Sequence, residues 1–275
     1  MGMTAASTAA PAAASVTQRR LGLSGGSFIS VISVAIGLLI WEIAARLWID
    51  PFFLPSVSAI LLGAVDLFQR GQLLPNIGIS LFRIVAGFLL GSMVAIPLGL
   101  IIGSSMTARR IFDPYIHFLR FIPALALTSL FIVWFGVGEA SKILQVMYAT
   151  AFIVIINTAT GVVTTHKNKR LAAQTLGATP WQIFWTVTVP AALPSIYVGM
   201  RLALAGSFLV IVAVEMLAAE SGLGYLIWTS KLYFKIDWMF VGIFLLGFFG
   251  LLADYIWKLI GRHVLKRFVR ESANY

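Results

Sequence analysis

The chain has 275 residues, 60% of them hydrophobic and 11% charged, with no cysteine and a net charge of +10, and its mean hydropathy is +0.95. Soluble domains carry about 25% charged residues, so this composition excludes them and leaves a polytopic membrane protein of one domain. Lack of cysteine rules out disulfides and thiol chemistry, the three histidines (His117, His166, His263) have no metal-ligand spacing, and without a GxxxxGK[ST] run the chain has no phosphate loop of its own.

Residues 1–27 are rich in Ala, Ser and Thr, include Arg19 and Arg20, and lack the charged-then-apolar order of a signal peptide. They are expected to form a mobile cytoplasmic tail. Six apolar stretches follow, near 28–48, 80–103, 112–136, 142–164, 194–219 and 237–260, and each reaches the roughly 20 residues that a helix needs to cross the hydrocarbon core. The expectation is an all-α membrane protein with six transmembrane helices in a domain spanning 28–262, followed by a cytoplasmic tail, 263–275. With the N-terminus inside, eleven Lys and Arg residues lie on the cytoplasmic side against five outside (Arg46, Arg70, Lys142, Lys231 and Lys235), which predicts an N-in/C-in topology. The basic residues sit between spans rather than in one stripe, so no nucleic-acid partner is expected; the lipid bilayer is.

In the first span Glu42 and Arg46 stand four apart with the acid first, the favoured geometry for an ion pair along one helix face. Val57 to Gln69 is too polar at its end to span and is expected at the outer interface. The second span carries Arg83 and two glycine pairs four apart, Gly87/Gly91 and Gly99/Gly103, a pattern that lets helices approach closely. The third holds His117, expected to be neutral and packed, then Arg120 and Pro123. A proline inside a span kinks it and frees a carbonyl, so Arg120 is either a snorkelling structural cation or an element of an anion path. Arg201 on the fifth span lies at a depth similar to Asp254 on the sixth, and is expected to pair with it. Asp254 and Lys258 form another intrahelical pair. Glu215, near the outer end of the fifth span, either joins an outer gate with Arg83 or faces water.

Between the fourth and fifth spans lies a polar interruption, 165–193, on the cytoplasmic side. Ala172, Ala173 and Gly177 are small; Ala173 and Gly177, four apart, would share one helix face, and Gly177 would end that helix. Thr179, Pro180 and Gln182 form a capping-box start for a second short helix, which Pro190 would stop. Trp181 and Trp185 are expected to anchor it to the bundle or the interface.

This arrangement resembles the cytoplasmic coupling loop of ABC-importer permeases. Their pattern is Glu-Ala-Ala, three residues, Gly, nine residues, then Ile-x-Leu-Pro; here it is Leu171-Ala172-Ala173, Gly177, and Val187-x-Val189-Pro190, with Leu171 in place of the glutamate. Further segments resemble the nitrate, sulfonate, taurine and bicarbonate permeases: Phe53-Leu54-Pro55-Ser56, Ser80-Leu81-x-Arg83, Arg120-Phe121-Ile122-Pro123, Trp134-Phe135-Gly136-x-Gly138-Glu139, Gly199-x-Arg201, and Glu215 followed by Gly222-Leu223-Gly224.

The resemblance implies a type I importer (MetI-like) permease fold in a bacterial cytoplasmic membrane, working as a homodimer. It implies ABC ATPase subunits below and a soluble solute-binding protein above, with alternating access driven by MgATP bound in the ATPase. The chain itself would be non-catalytic, with neither cofactor nor metal. Leu171, Ala172, Ala173, Gly177, Pro180, Val187 and Pro190 would form the ATPase-coupling loop; Arg120, Glu215, Arg83 and Arg201 are the pathway candidates for a small anion or sulfonate-like solute. A self-sufficient channel or ion-coupled carrier is the alternative. It would show two related halves with broken helices and ionisable groups near the midplane; the sequence has no such internal repeat.

Overall fold

A computed structural model describes residues 23–264; the remaining parts of the expected tails, 1–22 and 265–275, lie outside the described residues. All regular structure there is helical: α1 (Leu23–Leu47), α2 (Val57–Gln69), α3 (Leu73–Ser104), α4 (Met106–Leu119), α5 (Thr128–Phe135), α6 (Glu139–Val163), α7 (Lys167–Thr175), α8 (Pro180–Ile183), α9 (Val189–Ala218), α10 (Leu223–Leu232) and α11 (Ile236–Val264). Helix α1 starts inside the segment expected to be a tail. Five helical stretches are long and apolar enough to cross a membrane, Phe28–Leu47, Leu73–Ser104, Glu139–Val163, Pro180–Ala218 and Ile236–His263.

The third expected span, 112–136, is not one helix. It consists of α4 and a second arm, Ala124–Phe135, bent by 84°. The cause is local. Pro123 has an extended backbone (ψ 130) and no N–H, and a proline also biases the preceding residue away from the α region. Counted as one broken span, this pair brings the total to six.

Within a bilayer, helices gain little from burying apolar surface against one another, so close packing and hydrogen bonding hold them. Here α3 and α6 meet along a stripe repeating every fourth residue. A Cβ added at Gly87 would lie 2.5 Å from the Val146 Cβ, at Gly91 2.8 Å from that of Thr150, at Gly99 2.6 Å from that of Thr158, and at Gly103 2.5 Å from that of Val162. Ala95 and Val154, both fully buried, fill the middle position. Each helical glycine costs about 1 kcal/mol of intrinsic propensity; the close approach it allows is what offsets that cost. On the other side of α6, Gly161 faces Ser195 and Gly199 of α9 faces Asn157, so α3, α6 and α9 form the centre of the bundle.

A smaller apolar cluster joins α2, α10 and α11 through Ile60, Leu67, Leu223, Leu226 and Val241, with Trp41 of α1 packed against it. The expected interfacial helix is α2, capped by Ser56, whose side chain accepts from the Ala59 N–H at 3.2 Å. The predicted Glu42–Arg46 pair is present at 2.7 Å. Glu42 also accepts from the backbone N–H and hydroxyl of Ser58, which fastens the otherwise peripheral α1 to α2.

Candidate functional site

Three groups of residues stand out, one at each end of the bundle and one between. At the end that the charge count places outside, α3, α6, α9 and the turn before α10 converge on a buried polar clasp. Arg83 is 1% exposed and Glu215 is not exposed at all. The Arg83 Nη1 donates to Glu215 Oε1 at 2.7 Å and to the Ser221 carbonyl at 2.7 Å. Its Nε and Nη2 form a two-pronged bond to Glu139 at 2.6 and 2.7 Å. Glu215 also accepts from Ser80 Oγ at 2.8 Å and from the Gly224 N–H at 2.9 Å. Lys142 lies 3.4 Å from Glu139, so two cations and two carboxylates balance.

This clasp fixes backbone as well as side chains. Gly222 has φ +119, and the Glu215 carboxylate fills the space its Cβ would need. The Gly222 N–H donates to Asn76 Oδ1 at 2.7 Å and the Leu223 N–H to Ser80 Oγ at 2.8 Å. Depth along the helices leaves Glu215 either beside Arg83 or facing water; its complete burial and its bond to Arg83 select the first. Glu139 has no assigned role in the sequence reading, although its position opening α6, level with Arg83's reach, was the available signal.

At the opposite end, the interruption between α6 and α9 folds much as its caps require. Helix α7 ends on Gly177 at φ +80, where the Ala178 N–H reaches back to the Ala173 carbonyl at 3.1 Å and the Gly177 N–H to that of Gln174 at 2.9 Å, a glycine-terminated helix end. Gly177 therefore lies beyond α7 and does not share a helical face with Ala173. Thr179 and Gln182 form the reciprocal capping box.

Pro190 does not stop the second helix. A π turn over Phe184–Thr188 carries α8 directly into α9, with the Val189 N–H bonded to the Phe184 carbonyl. Widening the turn by one residue moves the proline ring off the carbonyl with which it would clash in an α turn. The second half of the interruption is thus continuous with the fifth span. Trp181 and Trp185 are exposed, and Ile183 is the residue that buries. Leu171, Ala172, Gly177 and Pro180 are exposed, with Ala173, Val187 and Pro190 half-buried. Leu176, which the sequence pattern does not single out, is 86% exposed. Beneath the segment an open groove of about 810 Å³ runs between Pro97 and Ile101 of α3 and Arg170, Trp181, Phe184 and Trp185.

The remaining candidates lie between the ends. Arg201 donates to Asp254 through Nε at 2.6 Å and Nη2 at 3.1 Å, as expected, and Lys258 meets the same carboxylate at 2.8 Å. Arg120 caps α4 at the 84° corner rather than lying within a spanning helix. Its guanidinium has no carboxylate partner among the described residues and rests over the Phe121 ring at 4.8 Å. His117, on the same helix, is exposed rather than packed.

Residues 95–268 match the family model described as binding-protein-dependent transport system inner membrane component. A probable ABC transporter permease of Brucella melitensis is 36% identical over 83% of this chain and 92% of its own length. A putative aliphatic sulfonates transport permease of Bacillus subtilis is 33% identical over 90% of this chain and 89% of its own. Among solved structures, a chain of the MetNI methionine ABC transporter superposes with TM-score 0.65 at 19% identity, covering 71% of this chain and 97% of that one, a likeness of fold.

Proposed function

We propose that this chain, which belongs to the binding-protein-dependent transport system inner membrane component family, imports a small anion or sulfonate-like solute across the bacterial cytoplasmic membrane as the permease of an ABC transporter. The permease role and the multi-pass membrane location come with the family. The substrate class, the docking surface and the assembly are our reading.

In that reading the segment from Leu171 to Pro190 docks a separate ATPase subunit, and MgATP is bound there and not here. Two copies of the chain enclose the path, and a solute-binding protein delivers substrate at the end carrying the Arg83 clasp. The observation that carries the docking assignment is exposure where a helical membrane protein has no internal use for it: Leu171, Leu176 and Trp181 project from a well-capped segment at 46, 86 and 69% exposure. The continuous helix from Pro180 to Ala218 gives a push at that segment a rigid route to the clasp. A bound partner shifts such an equilibrium only through different affinities for its two states; ATP binding in the docked subunit supplies that difference.

Among the pathway candidates, Arg83 and Glu215 act by holding the outer ends together and Arg201 is neutralised by Asp254. Arg120 is left as the cation available to an anion. Because the chain has no cysteine, an Ala172→Cys variant carries one thiol for a photoactivatable crosslinker in native membranes. The expected adduct is an ATP-binding polypeptide, absent when the thiol is placed at Ser221 instead. Equal adducts at both positions, or no ATPase at Ala172, would remove the docking assignment.

A further inference from the structure

We infer that the cavity at the corner between α4 and α5 is an anion-binding site within the permease itself, built for a singly charged organic anion with an apolar body. This rests on the importer reading and names the chemistry its path accepts. The cavity holds about 420 Å³ and is lined by Arg120, Tyr148, Phe152, Ile156, Asn157 and Val210, among others. Its α6 residues, Tyr148 to Asn157, lie in the middle of that 25-residue helix, so the site is well inside the span.

Arg120 differs from four other arginines of the bundle. Arg46, Arg70, Arg83 and Arg201 each meet a carboxylate at 2.9 Å or less, whereas Arg120, among the described residues, has only the Phe121 ring. Its guanidinium cannot shed its charge and is exposed at the mouth of the cavity, where an entering anion gives it the counter-charge it lacks. The corner that presents it is fastened: the Tyr148 hydroxyl donates to the Leu119 carbonyl at 2.7 Å, one residue before Arg120.

Asn157 supplies a second polar contact. Its Nδ2 donates to the Ile153 carbonyl at 2.8 Å, leaving its other N–H and its carbonyl oxygen without a partner among the described residues. Gly199 makes the room, since a Cβ there would collide with the Asn157 side chain. One guanidinium and half an amide suit one oxyanion head. They leave the second charge of sulfate unbalanced, while Phe152, Ile156 and Val210 offer an alkyl or aryl body an apolar contact that nitrate cannot make.

The test uses the purified transporter, with whatever subunits come with it, in lipid nanodiscs, titrated calorimetrically with butane-1-sulfonate. Saturable binding is expected, weakened roughly tenfold or more in Arg120→Gln, as for loss of a hydrogen bond to a charged group, and by less in Asn157→Ala. Sulfate and nitrate at equal concentration should not displace it. Unchanged affinity in Arg120→Gln, displacement by sulfate or nitrate, or no saturable binding would overturn the assignment. If Arg120→Gln fails to assemble, the displacement experiment on the unmodified protein decides alone. Retention of an ATPase in the same preparation reports separately on the importer reading: binding without ATPase keeps this site and sinks that reading, and ATPase without binding does the reverse.

Discussion

The two ends of this bundle are built on opposite principles. At the outer end, Arg83, Glu139 and Glu215 are tied by several short bonds each, and Gly222 and Gly224 admit the carboxylate against the backbone. At the inner end, the segment from Lys167 to Thr188 is held mainly by its own caps, by Ile183 and by Arg170, whose Nη2 donates to the Val162 carbonyl at 2.6 Å; an open groove runs beneath it. A buried charge cluster is over-determined and resists change, because removing one member strands the others. A segment with few buried contacts and exposed apolar side chains opens at low cost and offers surface to a partner. In the proposed reading, the rigid end is the outer one and the inner end does the coupling.

That contrast breaks most readily at the clasp. Arg83→Met leaves Glu215 buried without its counter-charge, and a cost of about 3–5 kcal/mol is expected, read as loss of monodisperse protein and a lower unfolding temperature in detergent. Next comes the α3–α6 stripe. Gly99→Val places side-chain atoms where Thr158 and the Ile155 carbonyl already sit, and overpacking of this kind costs about 1–3 kcal/mol, measured the same way. Gly177→Val, at φ +80 with open space around it, should cost only about 1–2 kcal/mol of backbone strain while abolishing transport. Gly177→Asn, which tolerates that backbone, should recover the stability, so a comparison of unfolding temperature with uptake separates strain from docking. The smallest effect is expected at Arg201→Gln, a half-exposed pair whose Asp254 keeps Lys258; stability close to that of the unmodified protein, by thermal denaturation, is the expected result.

Much of this architecture is legible in the sequence because membrane helices advertise themselves by length and apolarity, and because caps and glycine pairs are local signals. Gly87, Gly91, Gly99 and Gly103 state their spacing openly, and Thr179 with Gln182 states a helix start. Arg201–Asp254 follows from counting depth along each helix, and the same count brings Glu215 level with Arg83 without choosing between that partner and water. What stayed hidden depends on neighbours or on backbone register. Pro190 reads as a helix stop unless a π turn shifts the register before it, and no residue type announces that turn. The third span passes the apolar test while bending by 84°, since composition does not record direction. Glu139 joins Arg83 from 56 residues away, and Leu176 matters through exposure alone.

In the proposed reading the inner end is the place where a separate ATPase engages. Affinity purification from native membranes, with the unmodified chain and Gly177→Trp side by side at matched yield, tests this most directly. A stoichiometric ATPase with the unmodified chain and its loss from the Gly177→Trp preparation is the predicted result. Equal recovery of the ATPase with both, or none with the unmodified chain, would contradict it.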